Sequence, residues 1–135
     1  MSTGRGRHWP LLAAAAVAAG AWLSVVARRW FDVVEVQGRS MAPTLLPGDR
    51  LLIERLTYRR RAPRAGDVVV ALDPRAPQRE VIKRVHADGP ALDLRGDAPD
   101  ASTDSRTFGV VPATAVHWRA AVRYWPLGRI GLLTR

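Results

Sequence analysis

The sequence has no cysteine, so it forms neither a disulfide nor a thiolate metal site. That absence is compatible with either side of a membrane. Histidine is scarce: His8, His86 and His117 are isolated and show no ligand spacing, so no metal centre is expected. Lysine is scarcer still. Of 21 basic residues, 20 are arginine and Lys83 stands alone. A GC-rich coding sequence explains the arginines but not the exception. Arginine keeps its proton at any accessible pH, whereas a desolvated lysine can lose it. A single lysine among arginines therefore marks a candidate position for a removable proton. The bland alternative is a lysine snorkelling from a half-buried strand.

Acidic residues are few as well, 12 against 21 basic, for a net charge of +9 and a pI near 11.5. Such a balance invites a nucleic-acid partner. The arginines are scattered, however, and only Tyr58-Arg59-Arg60-Arg61 forms a cluster. No zinc-finger, helix-turn-helix or RNA-binding signature accompanies them, so nucleic acid is not expected as a partner. Anionic lipid is the better match for this charge. At 135 residues the chain has room for one small domain.

Residues 1–8 are short and basic. From Trp9 to Ala27 there is no charge, and 19 uncharged residues just span a bilayer core. Trp9 and Trp30 bracket the segment about 32 Å apart along a helix, which suits an aromatic at each interface. Arg5 and Arg7 precede it and Arg28 and Arg29 follow, so flanking charge does not fix its orientation. Val25-Val26-Ala27 would also suit cleavage of a signal peptide after Ala27. On the residues alone, anchor and signal peptide remain open.

Beyond the anchor, short Val/Ile/Leu-rich runs alternate with turn signals, which predicts mostly β structure. Strands are expected at Phe31–Val36, Leu51–Glu54, Val68–Leu72, Glu80–His86, Ala91–Arg95 and Ala115–Val122. Leu46-Pro47-Gly48-Asp49 reads as a type II turn, and Ala65-Gly66-Asp67 and Asp88-Gly89-Pro90 read as further turns. A loop is expected at Asp73–Arg79 and a polar loop at Asp100–Arg106. The apolar stretch from Tyr124 to Leu133 either packs on the domain or touches the membrane surface, and packing is the expectation.

Two stretches carry chemistry. Gly38-Arg39-Ser40-Met41-Ala42-Pro43-Thr44-Leu45 follows the first strand. It places a serine where the backbone can bend tightly, and Met41 and Leu45 show that it is no solvated linker. In Glu80-Val81-Ile82-Lys83-Arg84-Val85-His86, period two puts Lys83 on one face with Val81 and Val85. Burial there lowers a lysine pKa, by roughly 3–5 units at the extreme. A serine and a neutral lysine together make a Ser-Lys dyad. A Ser-His-Asp triad is disfavoured: no Gly-x-Ser-x-Gly elbow exists, and Asp104 is near neither His86 nor His117 in sequence.

These stretches resemble the type I signal peptidases. Gly38-x-Ser40-Met41-x-Pro43-Thr44-Leu45 is similar to their serine signature and Val81-Ile82-Lys83-Arg84-Val85 to their lysine box. Gly96-Asp97-Ala98-Pro99-Asp100-Ala101-Ser102-Thr103-Asp104-Ser105-Arg106 is similar to their last box, followed by Phe108-Gly109-Val110-Val111-Pro112. The resemblance implies a mostly β fold, a small signal-peptidase-like barrel or sandwich at 31–135, behind one uncleaved transmembrane anchor at 9–30. It implies a bacterial membrane serine endopeptidase, its catalytic domain outside the cytoplasm. Such an enzyme removes signal or propeptides that carry small residues before the cut.

By the same resemblance Ser40 is the nucleophile and one oxyanion donor, and Lys83 is the base. Ser102 orients the lysine. Arg84, Asp104 and Arg106 form an ion-pair network beneath the site, with Gly96 and Asp97 starting that box. Met41 is a candidate wall of the substrate pocket, or equally a core methionine. No cofactor is implied. Two departures stand out: Gly38 supplies no hydroxyl where some members have an oxyanion donor, and Ala98 replaces their usual asparagine. Only eleven residues separate Arg84 from Gly96, a minimal version of the family. That compactness is also similar to the small bacterial peptidases that mature nickel-type superoxide dismutase. The rivals are a self-cleaving repressor-type peptidase, which lacks a place for its DNA-binding domain here, and a non-catalytic, membrane-tethered basic β module.

Overall fold

The computed structural model describes residues 9–133. The basic stretch expected at 1–8 lies outside them. The chain divides into two compact units, Met1–Trp30 and Phe31–Arg135.

The first unit holds helix α1, Trp9–Trp30, none of whose residues is buried. Alanine dominates it, the best helix former, and Arg28 and Arg29 occupy its last turn, where cations favour the dipole. Among the described residues it is the one helix long and apolar enough to cross a membrane.

The second unit is an antiparallel sheet. Its strands are β1 (Phe31–Glu35), β2 (Arg50–Glu54), β3 (Val68–Asp73), β4 (Ala76–Ala87), β5 (Ala91–Arg95), β6 (Val111–Pro112), β7 (Val116–Trp125) and β8 (Gly131–Leu132). Hydrogen bonding runs in the order β1-β2-β7-β3-β4-β5-β6, with β8 on β7. The mostly β fold behind an apolar N-terminal helix is thus as the sequence reads.

Strand β3 explains the architecture. Its run Val68-Val69-Val70-Ala71 is apolar without alternation, the pattern of a strand buried on both faces. Val68 and Val70 enter a core with Val36, Met41, Leu45, Leu51, Ile53, Ala120 and Leu133. Val69 and Ala71 enter a second core with Val85, Leu92, Leu94, Val111 and Val116. The sheet therefore carries two cores on opposite faces of one strand.

Two turns have the same construction. Asp49 N–H donates to Leu46 O at 3.0 Å and Asp67 N–H to Arg64 O at 3.0 Å. The glycines before them have φ of +89° and +94°, open to glycine at no steric cost. Each turn delivers a buried aspartate, Asp49 or Asp67, to the start of a strand.

Three expectations need correction. Residues 73–79 are not a loop: β3 and β4 form a hairpin whose turn is Pro74-Arg75. Leu72 pairs with Glu80 and Asp73 with Ala76, so residues 77–79 bulge out of register. Pro77 lacks an N–H and fits such a bulge. Residues 100–106 are not all loop either, because Asp104 caps a short helix α2, Ser105–Phe108. The C-terminal stretch packs less than expected: Leu127, Ile130 and Leu132 are 69%, 58% and 76% exposed, and only Leu133 reaches the core. Val33, Leu52, Val122 and Leu132 stand in one cross-strand row, so apolar side chains continue over the outer face of four strands.

Candidate active site

Ser40 sits in a hydrogen-bonded turn rather than an extended loop, since Ala42 N–H donates to Arg39 O at 3.0 Å and Leu45 N–H to Met41 O at 2.8 Å. Met41 and Leu45, the two ends of that second bond, are buried at 1% and 0% exposure. They fix the turn to the core and leave Ser40 half-exposed beside a cleft. The Ala42–Pro43 peptide within the turn is cis. Ser40 O accepts the Ala98 N–H at 2.9 Å, so the backbone of residue 98 ties the two boxes together. An alanine suffices there because its side chain is not what bonds.

Lys83 lies on β4 opposite Val69 and is 3% exposed. Strand parity places it as the sequence predicts, with Val85 buried and Val81 half-buried on its face and Glu80 and His86 exposed. Its Nζ donates to Ser102 Oγ at 3.0 Å. Ser102 Oγ in turn donates to Asp104 Oδ2 at 2.6 Å. That carboxylate also accepts from Gly96 N–H at 2.9 Å and from Arg106 Nε and Nη2 at 2.9 and 2.6 Å.

Burial pushes the Lys83 amine below the ordinary lysine range. The Asp104 charge opposes this, while Arg79 and Arg106 reinforce it. For Asp104 burial acts upward, but the hydrogen bonds from Arg106, Ser102 and Gly96 overcome it and hold the carboxyl well below its usual range. The result is a fixed anion that orients a serine, which orients an amine under pressure to be neutral.

Arg84 belongs to a separate pair. Its Nε and Nη2 fork onto Asp97 at 2.9 and 2.7 Å, and its Nη1 reaches Gly66 O at 3.1 Å. Thr44, on the Ser40 turn, is near enough to Asp97 to join Arg84 in holding its carboxyl below the usual range. The single network expected from Arg84, Asp104 and Arg106 is therefore two bidentate pairs, one behind Ser102 and one beside Thr44. Gly96 has a steric role the sequence did not reveal: a Cβ there would overlap both Ser102 Oγ and Ser40 O.

Ser40 and Lys83 line one cavity of about 520 Å³. Gly38 and Met41 line it too, with Val34, Val36, Val70 and Ile82 as its aliphatic part. Met41 thus belongs to both the core and the cleft wall. Among the described residues no cluster of His, Asp or Glu could hold a metal ion. Asp49, Arg123 and Arg129 also reach the turn that holds Ser40. The Pro-Gly-Asp turn signalled Asp49, but no local pattern marks the two arginines.

Comparison with known proteins agrees with this geometry. The family described as signal peptidase, peptidase S26, matches residues 8–90. The Arabidopsis thaliana mitochondrial ATP-independent inner membrane protease subunit 1a is 36% identical, over 82% of this chain and 80% of its own. A probable signal peptidase I-2 of Synechocystis sp. is 32% identical, over 73% of this chain and 65% of its own. The Xenopus tropicalis mitochondrial inner membrane protease subunit 1 is 33% identical, over 76% of this chain and 74% of its own. With its fold, its apolar helix and these relatives, the chain belongs to the signal peptidase family of peptidases.

Proposed function

We propose that this chain is a membrane-anchored serine endopeptidase that removes N-terminal signal or propeptides with a Ser40–Lys83 dyad. One observation carries the reading: the only lysine of the chain is buried at 3% exposure, on the same cleft as Ser40, and is hydrogen-bonded to Ser102. Neutral Lys83 takes the Ser40 proton as Oγ attacks the scissile carbonyl carbon. The carbonyl oxygen becomes an oxyanion that accepts from Ser40 N–H, with Gly38 bringing its backbone close. Lys83 then gives the proton to the leaving amine as the peptide bond breaks. Water, deprotonated by Lys83, cleaves the resulting ester and frees Ser40.

Ser102 and Asp104 keep the amine aimed. The aliphatic cleft accommodates small apolar side chains before the cut, and Met41 is one wall. Residues 9–30 act as the anchor, residues 31–135 as the peptidase domain, outside the cytoplasm of a bacterial cell. The substrates are precursor proteins with small residues before the cleavage site.

The test is cleavage of a precursor carrying an Ala-x-Ala site by the detergent-solubilised full chain, beside Ser40→Ala and Lys83→Arg. A nickel superoxide dismutase precursor serves as the second substrate. Wild-type cleavage of either, abolished in both variants, is the expected result. Cleavage by Lys83→Arg, which keeps the charge and removes the base, would overturn the dyad. Inertness of wild type toward both precursors would favour the binding module.

A further inference from the structure

The last segment of the chain, which carries no motif, reaches back to the turn that holds Ser40. Arg129 ends a short turn after β7. Its Nη1 bonds both oxygens of Asp49, at 2.9 and 3.1 Å. Its Nη2 faces Thr44 O at 3.3 Å and Pro43 O at 3.4 Å. Arg123, on β7, donates from Nη1 to Thr44 O at 2.6 Å and stands 3.5 Å from Asp49. Its Nε donates to Arg129 O, which links the two arginines. Asp49 is 2% exposed and accepts Leu46 N–H at 2.9 Å.

A hydrogen-bonded turn leaves the carbonyls it does not itself use in need of outside partners, and this one uses those of Arg39 and Met41. The carbonyls of Pro43 and Thr44 are left over, and two guanidinium groups supply their partners. Arginine suits the task because its planar fork bonds a carboxylate and a carbonyl at once; lysine has no fork. None of Asp49, Arg123 and Arg129 lines the cleft. We propose that Arg129, with Arg123 and Asp49, is a positioning clamp that fixes the turn bearing Ser40 relative to the cleft. The turn is then held at both ends, by Ala98 N–H on Ser40 O and by the clamp on the carbonyls of Pro43 and Thr44. A nucleophile displaced by about 1 Å loses rate on the order of a hundredfold. The clamp's effect on catalysis rests on the Ser40–Lys83 reading. Its effect on the turn does not.

The test uses the detergent-solubilised full chain with Arg129→Lys and Arg129→Gln, and Leu127→Ala in the same short turn as control. Arg129→Lys keeps the Asp49 charge pair, so it folds even if Arg129→Gln does not. Two readouts are taken: amide hydrogen exchange at Leu45, and kcat and KM for the precursor across pH. The clamp predicts exchange at Leu45 faster by about tenfold in Arg129→Lys, with β3 and β4 unchanged. It predicts kcat lower by about tenfold in Arg129→Lys and about a hundredfold in Arg129→Gln. KM and the midpoint of the acid limb stay put, and Leu127→Ala matches wild type. Several results would overturn it: lower thermal stability with kcat intact, a rise confined to KM, or a moved acid limb. If wild type cleaves no precursor, the proposed function fails, and hydrogen exchange still decides the clamp. Equal protection of Leu45 in wild type and Arg129→Lys would sink it.

Discussion

The backbone of Gly96 lies so close to the hydroxyl of Ser102 that no side chain fits between them. The same missing side chain makes room for Ser40 O. Gly96 N–H also donates to Asp104, so this residue cannot retreat without losing that bond. Gly96→Ala must therefore separate Ser40 from Ser102 or displace both. We expect it to fold with a stability loss of about 1–3 kcal/mol and to lose at least about a hundredfold in kcat. Denaturant unfolding and single-turnover cleavage measure the two effects. Wild-type kcat in Gly96→Ala would show that the contact can relax freely.

Lys83 ties activity and stability to pH in the same direction. Its folded pKa is lowered by burial, so the unfolded chain binds more protons between that value and the unfolded value of about 10.4. Stability must rise with pH across that window. No other lysine contributes, but burial beside Asp67 raises the Tyr58 hydroxyl and opposes this slope above the ordinary tyrosine value, so the comparison with a lysine variant isolates the Lys83 part. Lys83→Met should flatten it, raising the melting temperature at pH 7 and leaving it unchanged above about pH 10.5. Wild-type cleavage should switch on as pH rises through a midpoint below the ordinary lysine value. Equal slopes in wild type and Lys83→Met would refute a desolvated amine.

Ser102 and Asp104 act on the lysine differently, and kinetics can separate them. Ser102→Ala removes the partner that aims Nζ, so kcat should fall by about 10²-fold while KM holds. Asp104→Asn removes a negative charge that raises the Lys83 pKa. Its acid limb should therefore move to lower pH. A limb that moves upward in Asp104→Asn would mean that Asp104 does not act on Lys83 through its charge.

Gly38 offers a gain of function. A Cβ there meets no heavy atom within 4 Å, and its φ is not in the left-handed region. Gly38→Ser can therefore carry a hydroxyl on the cleft at no steric cost. Removing a preformed oxyanion donor costs about 10²–10³ in rate, so one added without tuning should raise kcat by roughly 3–10-fold. Unchanged kcat at full stability would mean that the oxyanion forms elsewhere.

Much of the site was legible because its parts are local. Lys83 was marked by its rarity and its face by period two. The Ser40 and Ser102 stretches carried recognisable motifs. Pro47-Gly48 announced a turn because few other sequences fit it. What failed was the reading of segments whose conformation depends on distant partners. Pro77 signalled a loop, yet β3 pairs across it by letting residues 77–79 bulge. The resemblance grouped Arg84 with Asp104, whereas the fold gives it to Asp97 and Asp104 to Arg106.

The sequence by itself determined the apolar helix, the β character of the rest, the two strand faces and the chemistry available at Ser40 and Lys83. These follow from composition and short-range periodicity, which act within a few residues. Tertiary structure alone decided that Gly96 must lack a side chain, that Ala98 serves through its backbone, and that Arg123 and Arg129 close on Thr44. The Arg123 contact joins residues 79 positions apart. A long side chain can reach any carbonyl that the fold brings near, and no local pattern records which one that is.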